Sequence, residues 1–168
     1  NNPKWIAADL LSQAEHDFAA QSILITNDLN FAKKVEIEIK KLFKILPRSE
    51  ISQVSWKENG LIIVVKDWKK AIEIINFVAP EHLELAIDKP ESISKNVKNA
   101  GAIFMGRYVP EAIGDYIAGP NHVLPTSGTA KFSSGLSVYD FLKRQSVIKI
   151  SKSGIERLGS SVINLAKY

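Results

Sequence analysis

The chain has 168 residues, 22 lysines and arginines against 18 aspartates and glutamates, a formal net charge of +4, 45% apolar residues and no cysteine. That composition suits one globular domain, or one with an appendage, and excludes collagen-like, coiled-coil and low-complexity chains. Without cysteine there are no disulfides, thiolate metal sites or cysteine nucleophiles, so any metal must use His, Asp, Glu or amide oxygen.

No apolar run approaches the length of a membrane span, and Asn1-Asn2-Pro3-Lys4 lacks the apolar stretch of a signal peptide, so a soluble, cytoplasmic chain is expected. The pairs at Lys33-Lys34, Lys40-Lys41 and Lys69-Lys70 fall where helices show their wet faces. A nucleic-acid surface would concentrate charge and interleave aromatics.

In chain order, a first helix is predicted from Lys4 to about His16, with Asp9, Gln13 and His16 on one face. Ser22 to Thr26 reads as a strand. After the capping start Asn27-Asp28, Phe31, Val35, Ile39, Leu42 and Leu46 recur at helical spacing until Pro47. Leu61 to Val65 is a second strand, and both runs are apolar enough to be covered on two faces. Asp67 opens another helix, with Ala71, Ile74, Ile75 and Val78 on one face and Pro80 beyond. Strands at 83–87 and 102–106 flank a helix predicted from Pro90 to about Asn99, with Gly101 in the place of its C-terminal cap. This alternation predicts an α/β fold: a mostly parallel sheet with helices packed on it.

From Tyr108 to Gly135 the chain turns proline- and glycine-rich, with a short helix predicted around Glu111 to Ile117. A loop of that length inside a domain is more often functional than idle. Two helical stretches follow, Val138 to about Val147 and Ser153 to Tyr168. The second is amphipathic through Ile155, Leu158, Val162 and Leu165, as suits an arm packed on a neighbour.

The three histidines all fall at element ends or in loops. His16 follows Gln13 by three residues, a spacing that could present metal ligands, although a helix-terminal histidine more often complements the helix dipole. His82 stands beside Glu81 at a sheet edge, where two groups of different pKa could share proton transfers or simply be two polar loop residues. His122 sits in the long loop, seven residues after Asp115.

Together these segments resemble one family. Asp9-Leu10-Leu11-Ser12-Gln13-Ala14-Glu15-His16, Pro80-Glu81-His82-Leu83, Gly114-Asp115-Tyr116 and Gly119-Pro120-Asn121-His122-Val123-Leu124-Pro125-Thr126 resemble histidinol dehydrogenase. Tyr139-Asp140-Phe141-Leu142-Lys143-Arg144 is similar to that family's helix after the active-site loop, and the likeness runs in order along the whole chain. It implies a zinc- and NAD-dependent enzyme that oxidises L-histidinol to L-histidine through histidinal. By the same resemblance Gln13, His16 and Asp115 are zinc ligands, Glu81 and His82 are the catalytic pair, and His122 binds substrate; Gln13, His16, Glu81 and Asp115 also face the substrate. His82 would take the alcohol proton, Glu81 would activate the water of the second oxidation, and zinc would hold the substrate's nitrogens.

The family's chain is far longer. The resemblance therefore implies a C-terminal fragment: an incomplete Rossmann-like domain at 1–136, carrying the substrate and zinc site, and a helical dimerisation arm at 137–168. NAD-contacting residues are expected outside this segment, and a fourth zinc ligand from the other subunit of a homodimer with shared active sites. Alone, the chain is expected to bind zinc weakly and to lack dehydrogenase activity. The alternatives are a non-catalytic remnant serving binding or assembly, which the intact site residues oppose, and a nucleic-acid-binding domain, which rests on net charge alone.

Overall fold

The computed structural model describes residues 1–168. Two compact units divide the chain, Asn1–Leu136 and Ser137–Tyr168. No helix is long and apolar enough to cross a membrane.

The first unit begins with α1 (Pro3–Ala14), β1 (Ile23–Thr26), α2 (Leu29–Leu42), α3 (Ser49–Asn59) and β2 (Leu61–Val64). Strand β1 pairs in parallel with β2, Ile23 opposite Leu61. Helix α2 starts where Asp28 Oδ1 accepts the N–H groups of Asn30 and Phe31 at 2.8 and 3.0 Å, satisfying two of the donors a helix start leaves free. Its apolar positions Val35, Ile39 and Leu42 meet Ala7, Leu11 and Ala14 of α1 to form the core. The opposite face is wet, and there Lys40 pairs with Glu36 and Lys41 with Glu38. The β2 run is apolar beyond its burial: Leu61 and Val64 stay exposed, so cover on both faces is not what this strand receives.

Helix α3 is absent from the apolar pattern because its buried residues are serines. Ser52 and Ser55 face inward, and Ser55 Oγ donates to the Ala20 carbonyl at 2.8 Å. A hydroxyl with a backbone partner can occupy a core position, and hydropathy does not register it.

The second half of this unit comprises α4 (Trp68–Val78), β3 (His82–Leu85), α5 (Pro90–Ser94), β4 (Ala102–Met105) and α6 (Glu111–Tyr116). Strands β3 and β4 pair in parallel as a separate two-stranded sheet, His82 opposite Ala102. The expected single sheet is thus two parallel pairs. Strand β3 starts at His82, one residue earlier than predicted, which places His82 and Glu84 on one face.

Helix α5 ends at Ser94, short of the predicted Asn99. Asn76 of α4 draws the following segment away: its Oδ1 accepts from the N–H groups of Lys98 and Asn99, and its carbonyl accepts from Asn99 Nδ2. Gly101 is no helix cap. A Cβ there would lie 2.6 Å from the Glu81 carbonyl oxygen, so glycine permits the strands to close.

In the second unit, a 3-10 turn at Val138–Phe141 replaces the helix predicted to Val147, and α7 spans Lys152–Ala166. The turn is held by a capping box between Ser137 and Asp140. Beyond it Val147, Ile148 and Ile150 are exposed and β-branched, and a short segment with no packing to offset the cost of nucleation does not become helical. The apolar stripe of α7 is exposed at Ile155, Leu158, Val162 and Leu165.

Candidate active site

The site is assembled at the start of β3. Helix α4 closes through Ala79, a buried residue in the left-handed region at φ 53°, which redirects the chain into Pro80, Glu81 and His82. Backbone bonds from Gly101 N–H to the Pro80 carbonyl (2.9 Å) and Ala102 N–H to the Glu81 carbonyl (2.8 Å) lock this entry to β4.

Helix α6 supplies the opposing wall. Glu111 and Asp115 are one turn apart and lie on one side of it. Glu111 Oε1 lies 3.3 Å from His82 Nδ1, and both side chains are about one-tenth exposed. Asp115 Oδ1 lies 2.5 Å from His122 Nδ1. That contact is close without the alignment of a hydrogen bond, so Asp115 Oδ1, like His82 Nε2, is buried with no hydrogen-bond partner. The two imidazoles stack, centroids 5.2 Å apart and planes 14° from parallel. One ligand atom from each of His82, Glu111, Asp115 and His122 falls within 4.8 Å of every other.

Glycine makes this approach possible. A Cβ on Gly114 would lie 2.6 Å from the Phe104 ring, and Phe104 itself rests 5.9 Å from the His82 ring.

A second carboxyl cluster backs the wall. Glu84 shares a hydrogen bond with Asp9 of α1, and the Glu111 charge bears on both. Burial, then the Asp9 charge, pushes Glu84 up to about 8, so it carries a proton at neutral pH. Burial also raises Asp9 and Glu111, and the charge of Asp115 adds to the rise at Glu111 while His16 and His122 oppose it. At His82, burial lowers the imidazole below its ordinary value, and Glu81 pulls the other way.

The residues expected at the site fall into two groups. His82, Asp115 and His122 meet. Glu81 and Gln13 line a cleft of about 810 Å³ together with Asp9, His82, Glu84 and Glu111. Helix α1 ends at Ala14, short of the predicted His16, so His16 lies exposed in the turn beyond it and outside the four-residue group, within electrostatic range of Glu111 and His82. The reading of the residues missed Glu111 and Glu84. Their signals were present: Glu111 stands four before Asp115 on a helix, and Glu84 two after His82 on a strand.

This combination defines a class: an α/β protein whose sheet edge and facing helix present paired imidazoles and carboxylates suited to proton transfer and to holding a metal. A family model described as histidinol dehydrogenase matches residues 1–168, and the chain belongs to that family of oxidoreductases. It is 53% identical over 167 residues to histidinol dehydrogenase of Gluconobacter oxydans, covering 99% of this chain and 39% of that protein. With the enzyme of Hydrogenovibrio crunogenus it shares 60% identity over 158 residues, 94% of this chain and 36% of the relative. The crystal structure of histidinol dehydrogenase from Elizabethkingia anophelis superimposes with a TM-score of 0.84 at 39% identity, covering 99% of this chain and 38% of that one. The chain thus spans about 39% of the length of curated relatives it matches.

Proposed function

We propose that this chain is the acid–base and metal-holding part of an enzyme that oxidises L-histidinol through histidinal to L-histidine, with NAD as hydride acceptor and zinc as substrate anchor. The observation that carries the reading is the meeting of His82, Glu111, Asp115 and His122, with His82 Nε2 buried and unpartnered and Asp115 Oδ1 met only by the His122 imidazole. A buried polar atom without a partner is costly; a bound substrate would satisfy His82 Nε2, and a cation would complete the surroundings of Asp115.

His82 Nε2 is the atom that takes the substrate's hydroxyl proton in the first oxidation. Burial keeps the ring neutral, and so able to accept a proton, at the pH where it must act. Glu81, at the same cleft, takes a proton from the water that adds to the aldehyde, preparing the carbon for the second oxidation. His122, stacked against His82, binds the substrate. When bound, NAD supplies the hydride acceptor and zinc a fixed positive template for the substrate's nitrogens. Asp115, Gln13 and His16 would hold the zinc; no residue of this chain is assigned to NAD.

We assign the working form to a cytoplasmic homodimer with shared sites. The exposed stripe of α7 supports an intersubunit role for 137–168.

The test exchanges this chain for the matching part of the Gluconobacter oxydans enzyme. The hybrid should reduce NAD when given histidinol, H82A should abolish this, and the chain alone should show no turnover and bind zinc weakly in calorimetry. A folded hybrid that is inactive, or an H82A hybrid as fast as its parent, overturns the catalytic reading. Turnover by the isolated chain overturns the need for further polypeptide.

A further inference from the structure

Glu111 has no role in the reaction as laid out above, yet its placement is among the most constrained at the site. It sits on α6, while the imidazole it faces, His82, starts β3, and the two side chains are each about one-tenth exposed with Nδ1 and Oε1 3.3 Å apart. The far nitrogen of that ring, Nε2, is the one buried without a partner.

The surroundings leave Glu111 little freedom. Glu84 of β3, which shares a hydrogen bond with Asp9 of α1, lies close enough for the Glu111 charge to bear on both carboxyls, so α6 meets α1 and β3 at its first residue. Gly114, in the same helix, meets the Phe104 ring with no room for a Cβ, which fixes the helix's distance from the sheet.

We propose that Glu111 is a positioning residue for His82: it takes the Nδ1 side of the ring, so that the neutral imidazole carries its proton on Nδ1 and presents the Nε2 lone pair to the substrate hydroxyl. Which nitrogen of a histidine bears the proton is set by the partner of the other. When Nε2 accepts the hydroxyl proton the ring becomes a cation, Nδ1–H remains in place, and the Glu111 carboxylate faces the new charge. One proton moves, from substrate oxygen to Nε2, and Glu111 exchanges none. The 3.3 Å separation is the open form of a contact that tightens as the ring becomes charged.

The catalytic part of this inference rests on His82 being the base, while the tautomer part does not, and the experiment separates them. In nitrogen-15 spectra of the chain itself, the His82 ring should show a protonated Nδ1 and a free Nε2, and E111A should shift the ring towards the opposite tautomer. In the active hybrid, E111Q, which keeps the shape and an acceptor oxygen but not the charge, should lower kcat by about 10- to 100-fold with KM little changed. If E111A does not fold, the wild-type tautomer and E111Q kinetics decide. A wild-type ring protonated on Nε2, a folded E111A with an unchanged tautomer, or an E111Q hybrid within about twofold of its parent's kcat overturns the proposal. An inactive parent hybrid with the expected tautomers would instead overturn the dehydrogenase reading and leave the orienting contact standing.

Discussion

His82 and His122 stack nearly parallel although α5, β4 and α6 lie between them in the chain, and each is backed by its own carboxylate from a single helix turn, Glu111 for the first and Asp115 for the second. Two imidazoles so close cannot both become charged freely. His122 accordingly adds to the lowering of His82, behind the larger effect of burial.

Metal binding should discriminate between two overlapping ligand sets that share Asp115. D115N should weaken zinc binding by more than about 10-fold in a calorimetric titration, since removing even an outer-shell partner typically costs that much. H16A should do the same and H122A should have the smaller effect. The reverse order would assign the ion to the four side chains that already lie within 4.8 Å of one another.

Stability should depend on pH through Glu84. Its folded value, about 8, lies above the ordinary 4.5, so the folded state binds more protons than the unfolded state between those values. The contribution is full below about pH 4.5 and is lost as the pH rises through 8. E84Q, whose amide can donate to Asp9 and never gains a charge, should flatten this dependence and raise the unfolding midpoint at pH 8. Urea unfolding at pH 5 and pH 8 measures it, and an unchanged slope would remove Glu84 as its source.

Substituting Gly114 by alanine should be destabilising despite alanine's better helix propensity. The added Cβ would enter the Phe104 ring at 2.6 Å, and overpacking of a rigid ring costs about 1–3 kcal/mol against the roughly 1 kcal/mol that propensity returns. The same shift should carry Asp115 away from His122. A thermal melt and the His122 ring signals report the two effects.

D28A should cost about 1 kcal/mol by removing the acceptor for Asn30 and Phe31 at the start of α2. Because α2 supplies Val35, Ile39 and Leu42 to the core, the loss should appear in global unfolding rather than as local fraying.

Much of this molecule was legible locally. Asp28 announces α2 because a capping carboxylate acts on donors two and three residues away, and the apolar periods of α2 and α4 follow from which face each helix buries. The four strands were found within a residue or two for the same reason. Helix α3 was not found, because its core face is made of serines whose partners lie in another segment. The early end of α5 depends on Asn76, and the loss of the Val138–Val147 helix on packing that no local pattern supplies.

At the site the division is similar. Residue order alone determined that the histidines would sit at element ends beside carboxylates or amides, and the family likeness named Gln13, His16, Glu81, His82, Asp115 and His122. Only the tertiary structure decided that His82 faces Glu111, that Glu84 holds a proton beneath them, and that His122 covers His82. Hydrophobic period and capping are interactions over a few residues. Burial, shared protons and ring stacking depend on which distant residues folding brings together.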